Sequence, residues 1–459
     1  MKIILVCDHK WRDLPPLAAI KLHLERRGCK VWIYAVRDAL AMIPMIAPDC
    51  VVLNHFWGDR YQNLARQLRA EGTVVVVLPT EGAGRPIFHE VDRGDVTDYS
   101  LVDRLYSWGR RNSDAMLARG AISPGNLVTS GCPRTDFYRA PLMGAVTKRE
   151  VFAAEHGFNP AKPILTWATQ FPHAVVRQDQ AEQWQIYCRS MVDFGVDQCF
   201  KTIGVDFRIL PEYHRNLRDK STEVFFKFAR ANPNLQLVLK PHPNEDRAYY
   251  EAGIADAGVS NVRFCRVDYM WNVLHSTDIL LHRHCTTAVE AWLWNRPTIE
   301  FATIPDEFMA WPEREAGSHV ARDLTELQDL VEQFLAGYRI EPQTRALREQ
   351  YIRDWFGEPD GRRCEEIAID LAALTRARAR RAARVFPGAA LRPVAAARIL
   401  ARLALSLPPN ASLRTHAMRS ILGTYHKSAE SRLNKEITRR DVRAYEDQLK
   451  PLVADAAKA

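Results

Sequence analysis

The segment Lys240-Pro241-His242-Pro243 has the composition of a phosphate-binding loop. It follows the apolar run LQLVL, so we expect it at the carboxyl end of a buried strand, where α/β folds bind their ligands. The two prolines restrict the backbone and would hold His242 in one direction. Because Lys240 and His242 can both donate hydrogen bonds, we predict that they contact a phosphate. The alternative is a rigid loop with a purely structural histidine.

A second candidate is the segment HCTTAVEAWLW, which follows the apolar run DILLH. Thr286 or Thr287 can cap the helix that starts there, and the free N–H groups of a helix start attract anions. Glu290 lies one turn further on, where a carboxylate can accept hydrogen bonds from the two hydroxyls of a ribose. We therefore predict donor-binding roles for Thr286, Thr287 and Glu290, with His284 as a further candidate. A simple helix cap with a first-turn charge is the alternative.

In the other half of the chain, TEGAG follows the run VVVVLP. Glu81 is placed at a strand end, where a carboxylate can accept a proton from an attacking hydroxyl. Gly82 and Gly84, which follow Glu81, permit close approach of another backbone. An exposed glutamate in a turn is the alternative interpretation. Two comparable strand-end segments contain the remaining candidates. One has Arg134 and Asp136, and the other has Asp8 and His9. We expect His9 to be a structural residue at its strand end.

Several other kinds of chemistry are excluded by missing motifs. The chain has no GxxxxGK[ST], no GxGxxG after the first strand, no GxSxG and no HExxH. His282 and His284 have no cysteine or histidine partners at metal-ligand spacing. We therefore expect neither a metal nor a cofactor.

The elements that position these residues alternate between strand and helix. Short apolar runs such as KIILVC, KVWIYAV and TVVVVLP predict buried strands, and amphipathic stretches ending in glycine predict the helices between them. Such alternation implies parallel sheets. The predicted fold is α/β, with two facing Rossmann-like domains and a helical C-terminal appendage. We predict an acceptor-side domain over 1–150, a nucleotide-donor domain over 151–375 and a basic helical tail over 376–459. Within the second domain, we expect the stretch beyond about 302 to be helical.

The 459 residues have ordinary globular composition and a formal net charge of +8. Nine cysteines without CxxC spacing indicate reduced thiols in the cytoplasm. No apolar run is long enough to span a membrane.

Between Leu371 and Ala429 there is no acidic residue but there are eleven lysines and arginines. Because basic residues border an apolar helix face, we predict that 376–407 binds an anionic inner-membrane surface. A helical cap on the body is the alternative. Nucleic acid is not expected, since aromatic residues are scarce there.

With these residues assembled, the chain resembles bacterial surface carbohydrate biosynthesis proteins, which have a GT-B-like two-domain architecture. The matching segments span about 1–370 in the expected order and include ILVCDHKWRDLPP, PTEG, TSGCPRTDFY, KPHP, STDILLHRHCTTAVEAWLWNRP and DGRRCEEIA. The Glu-Gly loop, the His-Pro pair and the hydroxyl pair are also similar to those of capsule Kdo transferases and bacterial sialyltransferases. The KPHP loop further resembles that of CDP-alditol phosphotransferases. The family usually has Ser-Thr-Thr where this chain has Cys285-Thr286-Thr287.

The resemblance implies an inverting, metal-independent glycosyltransferase of capsule or lipopolysaccharide synthesis with a CMP-linked sugar donor. It implies that Glu81 is the general base, that His242 lies on the phosphate side, and that Thr286 and Thr287 contact the donor phosphate. The acceptor would be a glycan or a lipid-linked glycan. A CDP-glycerol or CDP-ribitol transferase is the first alternative, and a non-catalytic binding or assembly protein is the second.

Overall fold

The computed structural model describes residues 1–56, 58–83, 97–193, 195–265, 268–305, 309–337, 339–379 and 435–455. These residues form two six-stranded sheets in which every neighbouring pair of strands is parallel. The predicted α/β class is therefore confirmed, with helices in the C-terminal part as expected. Among the described residues, no helix combines the length and the apolar character that crossing a bilayer requires.

The first sheet lies entirely in the first third of the chain and has the strand order β2-β1-β3-β4-β5-β6. Its central strands are apolar and mostly β-branched, and their side chains are buried on both faces because helices cover the sheet. The strands are β1 (Lys2–Cys7), β2 (Lys30–Ala35), β3 (Cys50–Leu53), β4 (Val74–Val77), β5 (Arg104–Ser107) and β6 (Leu127–Thr129). The helices between them are α1 (Lys10–Arg26), α2 (Val36–Ile46), α3 (Asp59–Ala70) and α4 (Arg110–Ala118).

The second sheet has the order β12-β11-β10-β7-β8-β9. Its strands are β7 (Ile164–Ala168), β8 (Gln236–Lys240), β9 (Val262–Phe264), β10 (Ile279–His282), β11 (Thr298–Phe301) and β12 (His319–Ala321). The helices before and between them are α5 (Arg149–His156), α6 (Ala181–Asp193), α7 (Val196–Thr202), α8 (Leu210–Ala231), α9 (Arg247–Ala257), α10 (Met270–Ser276), α11 (Thr287–Leu293) and α12 (Pro312–Glu315).

The expectation of an unbroken helical stretch after β11 is wrong, because β12 lies within it. This edge strand is only three residues long, and it pairs with β11 alone through Ile299–His319, Glu300–Val320 and Phe301–Ala321. Such a short segment has no recognisable period in the sequence. Its strand conformation comes from the hydrogen bonds that β11 offers.

Four further helices end the described chain: α13 (Leu324–Leu335), α14 (Pro342–Phe356), α15 (Arg363–Ala379) and α16 (Arg439–Asp455). Although they follow the second sheet in sequence, α15 and α16 both pack against α1 of the first half. One hydrophobic core therefore joins residues from both halves, and within it the rings of Phe137 and Trp271 stack with their centroids 4.5 Å apart. The boundaries near 150 and 375 stay predictions. Most of the predicted membrane-binding segment, 380–407, lies outside the described residues.

Candidate functional site

Strands β1, β4 and β6 all end at the same edge of the first sheet. Asp8 and His9 follow β1, Glu81 follows β4 and Arg134 follows β6. Because the strands are parallel, their carboxyl ends meet, as the sequence predicted for this group. The candidates of the first half therefore share one site.

Arg12, in the first turn of α1, connects these side chains. Its guanidinium contacts Glu81 Oε1 at 2.5 Å through Nη1 and Asp13 Oδ1 at 2.8 Å through Nε. Its Nη2 lies 3.3 Å from Asp8 Oδ2. Asp13 also accepts a hydrogen bond from the backbone N–H of His9. Sequence reasoning missed Arg12, although its position one turn after the strand end was a usable signal.

These contacts determine the charges of the side chains at this edge of the sheet. Arg12 holds the pKa of Glu81 below its usual value, so that this carboxylate is ionised at neutral pH. Burial lowers the pKa of His9 well below its usual value, and Arg12 and Lys435 add to this effect, so the His9 imidazole is neutral. The Glu81 side chain is 64% exposed and can meet a ligand directly.

The Glu81 loop approaches Trp108 closely, so the group next to the glycine is a side-chain ring and not the backbone that was expected. A Cβ on Gly82 would lie 2.3 Å from the Trp108 ring, so only glycine fits there. The second glycine of the motif, Gly84, lies outside the described residues. On the other side, the guanidinium of Arg134 lies 4.8 Å from the centre of the Trp108 ring.

Arg134 and Tyr138 connect this edge to the second half of the chain. Tyr138 Oη donates a hydrogen bond to Glu290 Oε2 at 2.6 Å, and Arg134 Nη1 lies 3.7 Å from Glu290 Oε1. Glu290 is only 7% exposed. Two of the predicted residues thus meet across the two sheets, in a contact between Arg134 and Glu290 that the sequence could not predict. The ribose-binding role of Glu290 stays a prediction.

The KPHP loop leaves the end of β8, as predicted, and Lys240 is the last residue of that strand. Asn244 N donates a hydrogen bond to His242 Nδ1 at 3.2 Å, so the neutral imidazole carries its proton on Nε2. The loop is further held by buried Glu245, which accepts hydrogen bonds from Phe171 N at 2.8 Å and from His242 N at 3.3 Å. The loop therefore presents His242 as a fixed donor.

His242 and His9 come from different sheets but lie close enough to interact electrostatically, and this interaction contributes to the lowered pKa of His9. The loop after β8 therefore lies near the loop after β1. We refer to the region between these two loops, with His242 on one side and Asp8, His9 and Glu81 on the other, as the cleft.

At the end of β10, His284 lies in a dense cluster of charged residues. Its backbone has φ of 48°, in the left-handed region, and its N–H donates to Glu300 Oε1 at 2.8 Å. Its Nδ1 lies 3.5 Å from Glu300 Oε1 and 3.3 Å from Glu315 Oε1. Burial raises the pKa of Glu300, but His282, His284, Arg314 and Arg283 together outweigh it and lower the pKa to about 2.

The residues that could hold a metal here are His284, Glu300 and Glu315, whose ligand atoms lie within 4.8 Å of one another. Sequence reasoning missed this group because the two glutamates come from β11 and α12. Glu300 Oε1 already accepts from His284 N and lies 3.3 Å from Arg283 Nη1, so a cation would have to displace both. With Arg314 also close, the cluster is better described as a compensated ion network.

The prediction that a threonine side chain caps α11 is wrong for Thr286, the N-cap residue. Its backbone has φ −67° and ψ −10°, and it makes no side-chain capping hydrogen bond. Capping requires an extended backbone at this position, which turns the hydroxyl back toward the helix. The proposed phosphate contacts of Thr286 and Thr287 do not depend on capping and stay predictions.

Arg314 is a residue of this region that the sequence did not reveal. It is 1% exposed, and its Nε and Nη2 atoms have no hydrogen-bond partner among the described residues. It influences the pKa of Cys285 electrostatically, so its charge reaches the loop before α11. A buried guanidinium with unused donors is suited to an anion that reaches this loop.

No family model matches the chain, and no curated protein sequence matches it. Among solved structures, the wall teichoic acid polymerase TagF, soaked with CDPG, is similar with TM-scores of 0.51 and 0.52 in two structures. In the second of these the identity is 11%, over 82% of this chain and 89% of that one. A protein described as a UDP-N-acetylglucosamine 2-epimerase from Listeria monocytogenes has a TM-score of 0.50 and 13% identity, over 81% of this chain and 96% of that one.

At these identities the similarity concerns the fold alone. The epimerase and the polymerase share the fold of the present chain over most of their lengths. The resemblance to a GT-B-like architecture is therefore confirmed at the level of fold. The chain has a GT-B-like α/β fold.

Proposed function

We propose that the protein is an inverting glycosyltransferase of bacterial surface polysaccharide synthesis that uses a nucleotide-activated sugar, with CMP as the nucleotide. The observation that supports this most is that loops from the two sheets, one with His9 and one with His242, lie near each other. An ionised, exposed carboxylate, Glu81, lies on one side of the cleft, and a fixed imidazole N–H donor, His242, lies on the other. Transfer of a sugar from a phosphate to a hydroxyl requires both groups, a base for the hydroxyl proton and a hydrogen-bond donor for the phosphate.

On the donor side, Lys240, His242 and the Thr286-Thr287 turn would contact the donor phosphate. The bond between the anomeric carbon and the phosphate oxygen breaks, and its electron pair stays on the phosphate. Donors that are already oriented stabilise this new charge without reorganising, which is usually a large part of such catalysis. Asn244 and Glu245 supply that orientation by holding both the ring and the backbone of His242. Arg314 adds positive charge near the same turn.

On the acceptor side, Glu81 would take the proton of the attacking hydroxyl while its oxygen forms the new bond to the anomeric carbon. The configuration then inverts, because the attack comes from the face opposite the phosphate. Arg12 keeps Glu81 ionised and ready to accept the proton, and it also fixes the carboxylate in place.

The test is a panel of CMP-, CDP- and UDP-linked sugars and alditols, in which release of the nucleotide is measured with purified acceptor glycans. We expect one CMP-linked sugar to be turned over. Glu81→Gln should then lower kcat on the order of 10²–10⁴-fold with little change in nucleotide affinity. Glu332→Gln, an exposed glutamate on α13, is the matched control and should behave as the wild type.

A second candidate is an alditol-phosphate transferase, and the TagF fold similarity favours it. The same residues would act at a diphosphate, so turnover of a CDP-alditol with no turnover of CMP-sugars would select this function. A protein that releases nucleotide from no donor, but binds glycans, would be a non-catalytic binding or assembly protein instead.

We further propose that the protein works in the cytoplasm, with 376–407 on the anionic inner-membrane surface. None of the nine cysteines, all of which lie in the described ranges, forms a disulfide, which fits a reducing compartment. Sedimentation with anionic vesicles at low salt tests the membrane contact. The full chain should pellet with the vesicles. A chain that stays in the supernatant in their presence would refute the proposal.

A further inference from the structure

The C-terminal helix α16 is fixed to the body of the protein rather than projecting from it. It packs along α1, and two of its apolar residues are almost completely buried, Leu449 at 0% and Val453 at 2% exposure. Arg26 Nη1 donates a hydrogen bond to Val453 O at 2.5 Å, and Lys21 Nζ lies 2.9 Å from Glu446 Oε1.

The start of the same helix reaches the cleft. Asp441, in the first turn of α16, forms an ion pair with Lys10 at the beginning of α1, with 2.5 Å between Lys10 Nζ and Asp441 Oδ1. On the other side, the ring of Tyr445 meets that of Tyr269 edge to face at 5.3 Å. Tyr269 Oη in turn donates to Lys10 O at 3.0 Å. The segment that precedes α16 is thereby held against the loop that follows β1.

Lys435, a few residues before α16, forms an ion pair with Asp8 in that loop, with 2.5 Å between Lys435 Nζ and Asp8 Oδ1. The other oxygen of Asp8 contacts Arg12, which also contacts Glu81 and Asp13. The network therefore runs from the C-terminal segment through Asp8 and Arg12 to the carboxylate proposed as the base.

Charge explains why this position needs a cation. Without Lys435, Arg12 would be the only cation in direct contact with the three carboxylates of Asp8, Asp13 and Glu81 among the described residues, and Arg134 would act on Asp13 and Glu81 from further away. Burial by itself would raise the pKa of Asp8, but Lys435 and Arg12 outweigh it and lower the pKa. With Lys435 removed, Asp8 would draw Arg12 away from Glu81, because the two carboxylates compete for one guanidinium.

We propose that the C-terminal segment completes the cleft, and that Lys435 is a positioning residue which holds Asp8 and, through Arg12, the Glu81 carboxylate. The placement follows from the contacts themselves, whereas its effect on turnover rests on the proposed function. Residues 435–455 are thus part of the site and not an independent appendage.

The first test needs no substrate. Hydrogen–deuterium exchange of the full chain is measured on peptides that cover residues 8–13, in the wild type, Lys435→Ala, Lys435→Arg and Lys450→Ala. Lys450 is exposed on α16 and is the matched control. We expect exchange of the His9, Arg12 and Asp13 amides to be about fivefold faster in Lys435→Ala, and close to wild type in the other two variants. Unchanged exchange in Lys435→Ala, or equal acceleration in Lys450→Ala, would refute the placement.

The second test is kinetic. Lys435→Ala should lower kcat about tenfold with KM almost unchanged, because it moves the base and not the donor site, and Lys435→Arg should restore most of the loss. Faster exchange in residues 8–13 with unchanged kcat would overturn the positioning role. A wild type that releases nucleotide from no donor would instead refute the proposed function, and the exchange result would still decide the placement.

Discussion

The ion pair between Arg12 and Glu81 predicts how the activity depends on pH. The substitution is Arg12→Gln, which removes the charge but keeps a side chain of similar length. In the wild type, Arg12 Nη1 lies 2.5 Å from Glu81 Oε1 and holds the pKa of Glu81 below the ordinary 4.5. The negative charge of Asp8 acts in the opposite direction, so the pKa should rise once the guanidinium is gone.

The size of the change follows from the distance and the exposure. Two charges about 4 Å apart interact by about 1 kcal/mol in water and by about 4 kcal/mol at an effective dielectric constant of about 20. Because the Glu81 side chain is 64% exposed, the lower end applies. At about 1.4 kcal/mol per pH unit, the expected shift is about one unit upward.

The assay is nucleotide release, with kcat/KM measured between about pH 4 and pH 8. A base acts only when ionised, so the activity is lost as the pH falls through the pKa of Glu81. The wild type should keep its activity to below pH 4.5, whereas Arg12→Gln should lose it about one unit higher. Arg66→Gln, an exposed arginine on α3, should behave as the wild type. An acidic limb that does not move in Arg12→Gln would refute the assignment of Glu81 as the titrating base.

Three further predictions follow from the same contacts. His242→Ala should lower kcat on the order of 10²–10³-fold while the melting temperature stays the same, and wild-type activity would rule out a phosphate role. Thr286→Val with Thr287→Val should weaken nucleotide binding in calorimetry, whereas unchanged affinity would leave the pair a purely structural role. Asp136 is completely buried and accepts hydrogen bonds from Arg363 N and Cys364 N, so Asp136→Ala should lower the free energy of unfolding by about 2–4 kcal/mol in denaturant titrations, and Asp136→Asn by less.

The strands, and with them the edge that carries the site, were determined by local sequence. Runs such as KIILVC and VVVV can only be buried strands, and parallel strands joined by helices must end on one side of their sheet. The positions of Glu81, Arg134 and His242 at strand ends followed from this rule. The need for glycine at position 82 is not local, because it comes from the close approach of Trp108, which excludes a Cβ.

The partners of these residues were decided only by tertiary structure. Glu290 was expected to bind ribose, yet its carboxylate meets Arg134 and Tyr138, more than 150 residues away in sequence. Lys435 reaches Asp8 only because α16 packs back along α1. A helix or strand period records which face of an element is buried, but it does not record which other element covers that face. Side-chain pairing across the cleft therefore depends on how the two sheets and the last helix pack together.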